Sequence, residues 1–100
     1  MTRPVAAPRL PHGFAFPIAE LQTMQRWAER HRLRLTIELD RCIDGADYEE
    51  VVTLREPRGR RRRWSLWRSA EHLVVEPATG PAARFARLSD ALAVLTALRA

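Results

Sequence analysis

The stretch that decides the fold is residues 48–76, YEEVVTLREPRGRRRRWSLWRSAEHLVVE. Its apolar and β-branched residues come in runs of strand length, and the residues between these runs favour turns. Glu56-Pro57-Arg58-Gly59 has Pro at the second position and Gly at the fourth, as in a type I turn. Ser69-Ala70 makes a second, shorter turn. The stretch therefore predicts three strands, Tyr48–Arg55, Arg62 or Arg63 to Arg68, and Glu71–Glu76.

A further strand precedes this stretch. Leu33 to Asp40 alternates strictly between apolar and polar residues, which is typical of a strand with one buried face. Its apolar side consists of Leu33, Leu35, Ile37 and Leu39. Asp44-Gly45 then marks the turn into the next strand, because Gly tolerates positive φ. Since links of hairpin length force antiparallel pairing, the four strands form a meander.

Two segments with helical periodicity flank the meander. The first runs from Pro17 to about Arg32, and its apolar stripe holds Ile18, Leu21, Met24 or Gln25, Ala28 and His31. Ser89 is a good N-cap for the second, whose stripe is Leu88, Leu92, Leu95 and Leu98. The order α-β-β-β-β-α predicts a two-layer α+β domain with both helices on one face of an antiparallel sheet. Trp64 and Leu66 should face the helices, which puts Trp67 on the other face. A short extended piece is also expected at Arg84–Ala86.

Domain organisation and location follow from composition. Four prolines among the first seventeen residues disfavour helix, so we expect a flexible tail at residues 1–16 and one domain at residues 17–100. The sequence has no apolar run long enough for a secretory signal or a membrane span. Cys42 is the only cysteine, which rules out an internal disulfide. We expect a cytoplasmic protein without a membrane partner.

The positive charge is concentrated in the second half of the chain. All seventeen basic residues are Arg and the net charge is +5. Arg and Ala have GC-rich codons, so their abundance first indicates a GC-rich bacterial genome. Residues 1–55 carry eight Arg and eight acids, whereas residues 56–100 carry nine Arg and four acids. Five of these nine lie close together, at Arg58, Arg60, Arg61, Arg62 and Arg63.

The sequence contains no recognisable catalytic motif. The three histidines lie in separate elements, and the four glycines are isolated, so no phosphate-binding loop is evident. Asp40, Asp44 and Asp47 surround the first turn, but their spacing fits no calcium loop. We therefore predict no enzyme activity, no metal, no cofactor and no small-molecule substrate.

The sheet face opposite the helices is the first candidate binding surface. It should expose an apolar centre within a charged rim, as protein interfaces do. Its central residues are Val51, Thr53, Ser65, Trp67 and Val74. We predict a non-catalytic protein-interaction module that self-associates through this face as a homodimer, or binds another protein. In a competing interpretation, Phe14 and Phe16 of the tail fold over the face and close it.

The arginine hairpin is the second candidate surface, and nucleic acid is its expected ligand. Arg side chains match phosphates well, and an exposed Trp67 would stack on bases. The helix–meander–helix order resembles the topology of the double-stranded-RNA-binding domain. The last helix nevertheless opens with Ser89-Asp90-Ala91 and lacks that domain's lysine cluster. The resemblance therefore implies a topology and assigns no binding residues.

Overall fold

The computed structural model describes residues 16–41, 48–59, 61–69 and 72–99. Its elements in chain order are α1 (Ile18–Arg30), β1 (Arg34–Arg41), β2 (Tyr48–Arg55), β3 (Arg62–Arg68), β4 (Leu73–Pro77), β5 (Ala83–Phe85) and α2 (Leu88–Arg99). The strands form one antiparallel sheet in the order β1-β2-β3-β4-β5. The predicted α+β fold with an N-terminal and a C-terminal helix is confirmed.

The sheet has five strands rather than the predicted four. β5 pairs with β4, and this pairing places Phe85 opposite Leu73 and Ala83 opposite Val75. β5, Ala83–Phe85, lies within one residue of the short extended piece expected at Arg84–Ala86, but three residues are too few for an alternation pattern to identify a strand. Gly80, with a φ of 111°, lies in the link between the two strands. Such a backbone conformation is open to glycine and strained for other residues.

One hydrophobic cluster fills the space between the helices and the sheet. Trp64 is 5% exposed, and its ring meets that of Trp27 edge-on, with 6.2 Å between the centroids. The prediction that Trp64 and Leu66 face the helices is confirmed. Both helices and the inward positions of β2, β3 and β4 contribute the members of the cluster, which include Met24, Trp27, Ala28, Val52, Leu54, Trp64, Leu66, Leu73, Val75, Leu88, Ala91, Leu92 and Leu95.

Two polar contacts fix α1 within this layer. The indole Nε1 of Trp27 donates to Thr96 Oγ1 of α2 at 2.9 Å, so the buried N–H has a partner. Arg68 of β3 donates through Nε and Nη2 to the two carboxylate oxygens of Glu20. Paired bonds of this kind orient both planar groups. These contacts set the helix against its neighbour and against the sheet.

A tight turn joins α1 to β1. Arg32 has a φ of 57°, and the N–H of Leu33 donates to the carbonyl of Ala28 at 2.8 Å. A left-handed residue just past the last turn is a common way to end a helix, although glycine usually occupies it. The turn reverses the direction of the chain, so the N-terminal turn of α1 lies near the C-terminal end of β1.

Several apolar side chains that were predicted to face inward are exposed. Ile18 is 72% exposed, Ile37 47% and Leu39 68%, and Leu98 is also exposed. The hydrophobic cluster lies over β2, β3 and β4, so the second half of β1 extends beyond it. Trp27, which is not part of the predicted apolar stripe of this helix, is buried. Neither α1 nor α2 has the length and hydrophobicity that crossing a bilayer would require.

Candidate interaction surfaces

The five residues predicted for a binding face lie together on one side of the sheet. Trp67 of β3 is opposite Val51 of β2 and Val74 of β4, and Thr53 is opposite Ser65. The cluster beneath the helices does not include these five side chains. Successive residues of a strand point to opposite faces, so this group occupies the face turned away from the helices.

The exposure predicted for this face is wrong for four of the five residues. Their exposed fractions lie between 1% and 8%, whereas Trp67 is half-buried. The four buried residues are Val51, Thr53, Ser65 and Val74. The face therefore presents Trp67, rather than a broad apolar patch, to a partner.

Long charged side chains account for part of this shielding. Arg55 Nη2 lies 3.1 Å from Glu38 Oε2, and the pair crosses the sheet over the register position of Thr53. Arg62 Nη1 donates to Ser65 Oγ at 2.9 Å and lies 4.0 Å from Glu76 Oε1. Charged side chains thus bind one another over the position of Thr53 and bind the hydroxyl of Ser65.

Phe16 does not cover this face. Its side chain is buried in the cluster on the helix side of the sheet, and its N–H donates to Glu50 Oε1 at 2.8 Å. The interpretation in which Phe16 closes the open face is therefore wrong. Phe14 and the rest of the predicted tail, residues 1–15, lie outside the described residues.

The arginine hairpin is divided between exposed and paired side chains. Arg58 and Arg61 are exposed, and Arg60 lies outside the described residues. Arg63 Nε lies 3.5 Å from Glu56 Oε2, and its guanidinium is 5.4 Å from the ring centre of Trp64. Arg62 has its own carboxylate partner, as described above. Two of the predicted phosphate ligands are therefore already paired with acids.

The hairpin and Trp67 lie at opposite ends of β3. Trp67 lies five positions after Arg62, a distance of about 17 Å along a strand. A bound single strand would have to run along β3 to contact both. Beside the hairpin, Arg61, Arg62 and Arg63 line a cleft of about 470 Å³ together with Pro77, Ala78 and Thr79.

The outer edge of β1 is a surface that sequence reasoning missed. Among the described strands, β1 pairs only with β2, so no described strand hydrogen-bonds to its other edge. Leu35 packs against the cluster, and the alternation therefore puts Ile37 and Leu39 on the same side as Leu35. The alternating pattern of β1 is visible in the sequence, but the position of the strand in the sheet is not.

Ile18 of α1 lies on the same side of the molecule as this edge. Gln25 and Leu35 line one shallow cleft, so that side of α1 faces β1. Ile18 precedes Gln25 by seven residues, which is about two helical turns and the same side of the helix. At the first turn, Phe16 bonds to Glu50, the residue opposite Leu39. Ile18 therefore lies on the side of α1 that faces β1, and we call the exposed side chains of Ile18, Ile37 and Leu39 the apolar strip.

The described residues offer no group of three or more His, Cys, Asp or Glu side chains that could hold a metal ion.

No family model, no curated protein and no solved structure matches the chain. The functional interpretation therefore rests on the surfaces themselves.

Proposed function

We propose that this chain is a small protein-interaction module that self-associates through the outer edge of its sheet. The observation that carries the proposal is the eight-residue strand β1, whose outer edge pairs with no other described strand and whose Ile37 and Leu39 side chains are exposed. Proteins usually protect such an edge by shortening, covering or charging it. The other edge strand, β5, has three residues and follows that rule.

Two features of the β1 surface fit a protein partner. Backbone N–H and C=O groups along the edge can extend the sheet by one strand. The strip of Ile18, Ile37 and Leu39 supplies apolar area next to those groups, and apolar area of this kind drives association. The face opposite the helices contributes less to the proposal, because Trp67 alone of its five predicted residues is accessible. We propose a cytoplasmic location, which the single cysteine supports.

Sedimentation equilibrium over a wide range of protein concentration tests the proposal. We expect the wild-type mass to rise from one to two chains with concentration. Ile37→Glu should remain a folded single chain, because pairing would bury the new carboxylate in an apolar strip. Val94→Glu is the matched control: Val94 is 43% exposed, close to the 47% of Ile37, but it lies on α2.

The variants also distinguish the edge of β1 from the sheet face that holds Trp67. Trp67→Glu should leave the assembly intact if the edge of β1 is the interface. Loss of assembly in Trp67→Glu, with retention in Ile37→Glu, would move the interface to the open face. A wild-type mass of one chain at all concentrations would contradict self-association.

Nucleic-acid binding is the alternative function. The exposed Arg58 and Arg61, together with the cleft beside them, support it. The carboxylate partners of Arg62 and Arg63 weaken it, because a phosphate would have to displace Glu76 and Glu56. We therefore rank it second.

A further inference from the structure

We infer that β1 pairs with β1 of a second copy, antiparallel and in one register, around a two-fold axis at Ile37. This inference rests on the self-association proposed above and adds the geometry of the contact. The axis would run perpendicular to the sheet, since only that orientation makes two identical strands antiparallel within one continuous sheet. Two five-stranded sheets would then form one sheet of ten strands, with the helices of both copies on the same side.

The sequence of β1 is self-complementary in this register. Directly opposite residues of an antiparallel pair share a face, so apolar positions must meet apolar positions. With Ile37 opposite its own copy, Leu35 lies opposite the partner's Leu39 on the helix side. On the other face, Thr36 lies opposite the partner's Glu38. At the ends of the pairing, residues 34 and 40 are opposite each other, and they carry opposite formal charges.

Neighbouring registers are less favourable. A shift by one residue would set the apolar side of one strand against the polar side of the other. A shift by two residues towards the end of the strand would place Glu38 opposite the partner's Glu38, and like charges directly opposite are destabilising. A shift by two towards the start would keep only residues 34–38 of the pairing within β1, because Leu39 would then lie opposite the partner's Leu33, in the turn that follows α1. The register at Ile37 keeps residues 34–40 entirely within β1.

The same register covers the exposed apolar strip. Ile37 and Leu39 of one copy would lie beside Leu35 and Ile37 of the other, between the two α1 helices. Ile18 of each α1 would border the contact between the two strands. Side chains that the single chain leaves in water would thus become the floor of a second apolar cluster. This cluster gives the pairing a driving force beyond its backbone hydrogen bonds.

Oxidative cross-linking of the full chain tests the register. The background variant Cys42→Ser leaves only the introduced thiol, and Ile37→Cys places it at the proposed axis. Directly opposite Cα atoms in an antiparallel pair are about 4.5–5.5 Å apart, within the range of a disulfide. We expect Ile37→Cys to form a covalent dimer on mild oxidation, whereas the matched neighbour Thr36→Cys should stay reduced. Val94→Cys controls for random collisions.

The outcomes separate the register from the proposed function. If the wild type is dimeric but Thr36→Cys cross-links in place of Ile37→Cys, the two-fold axis passes through Thr36 and the inferred register is overturned. A dimer in which neither variant cross-links would overturn the pairing of β1 with itself and leave self-association standing. A wild type that sediments as one chain would overturn both.

Discussion

At the residue scale, the two tryptophans of β3 occupy opposite faces of the sheet and have different roles. Trp64 is enclosed between the sheet and the helices, where it meets Trp27. Trp67 lies on the other face and is half-buried between Val51 and Val74. A difference of three positions along one strand therefore separates a core residue from a surface residue.

Trp64→Ala should lower the free energy of unfolding by about 3–5 kcal/mol, because it leaves a large cavity in the cluster. That loss is a large part of the stability of a domain of this size. Urea unfolding followed by circular dichroism measures it. Trp67→Ala is the matched control and should cost clearly less. Equal losses in the two variants would contradict the assignment of the two faces.

The conformation of Arg32 gives a second prediction, at the link between two elements. A left-handed conformation costs a residue with a Cβ roughly 1–2 kcal/mol, and glycine does not bear this cost. Arg32→Gly should therefore raise the free energy of unfolding by up to about 1 kcal/mol. Arg26→Gly, six residues earlier and in the interior of α1, should lower it by about 0.5–1 kcal/mol. If both variants lose stability, the turn does not require a left-handed residue.

At the scale of elements, the strands and helices could be predicted because their signals are local. Leu33 to Asp40 alternates by itself, and Pro57 with Gly59 marks a turn whatever surrounds it. The three residues of β5 carry too little pattern to count as a strand. Whether a helix covers a given strand is not a local property either. Ile37 follows the same alternation as Val52, yet Ile37 is 47% exposed and Val52 is buried.

The candidate surfaces were harder to predict for the same reason. Thr53 has the alternation of a solvent-facing residue, yet Glu38 and Arg55 form an ion pair over its position. The sequence gives no sign of this contact between neighbouring strands. The edge position of β1 likewise depends on the order of the strands in the sheet. Periodicity therefore assigned the faces correctly but did not give their exposure.

At the scale of the whole molecule, the positive charge of residues 56–100 is partly neutralised by local pairing. We expect a single-stranded oligonucleotide to leave the tryptophan fluorescence unchanged at physiological salt, because Arg62 and Arg63 are paired and Trp67 is half-buried. Fluorescence titration checks this. Quenching that falls steeply between about 50 and 200 mM salt would instead support nucleic-acid binding. Replacing Arg58 and Arg61 by Ser should then remove most of it.

The hydrogen bond between Trp27 and Thr96 also has a consequence for biosynthesis. Its two residues are 69 positions apart. A ribosome that adds about 5–20 residues per second adds Thr96 roughly 3–14 s after it has added Trp27. During this interval the nascent chain carries the apolar side of α1 and the inward face of the meander without their second helix. We expect these segments to be accessible to chaperones during that time, and the domain to close only after α2 has formed.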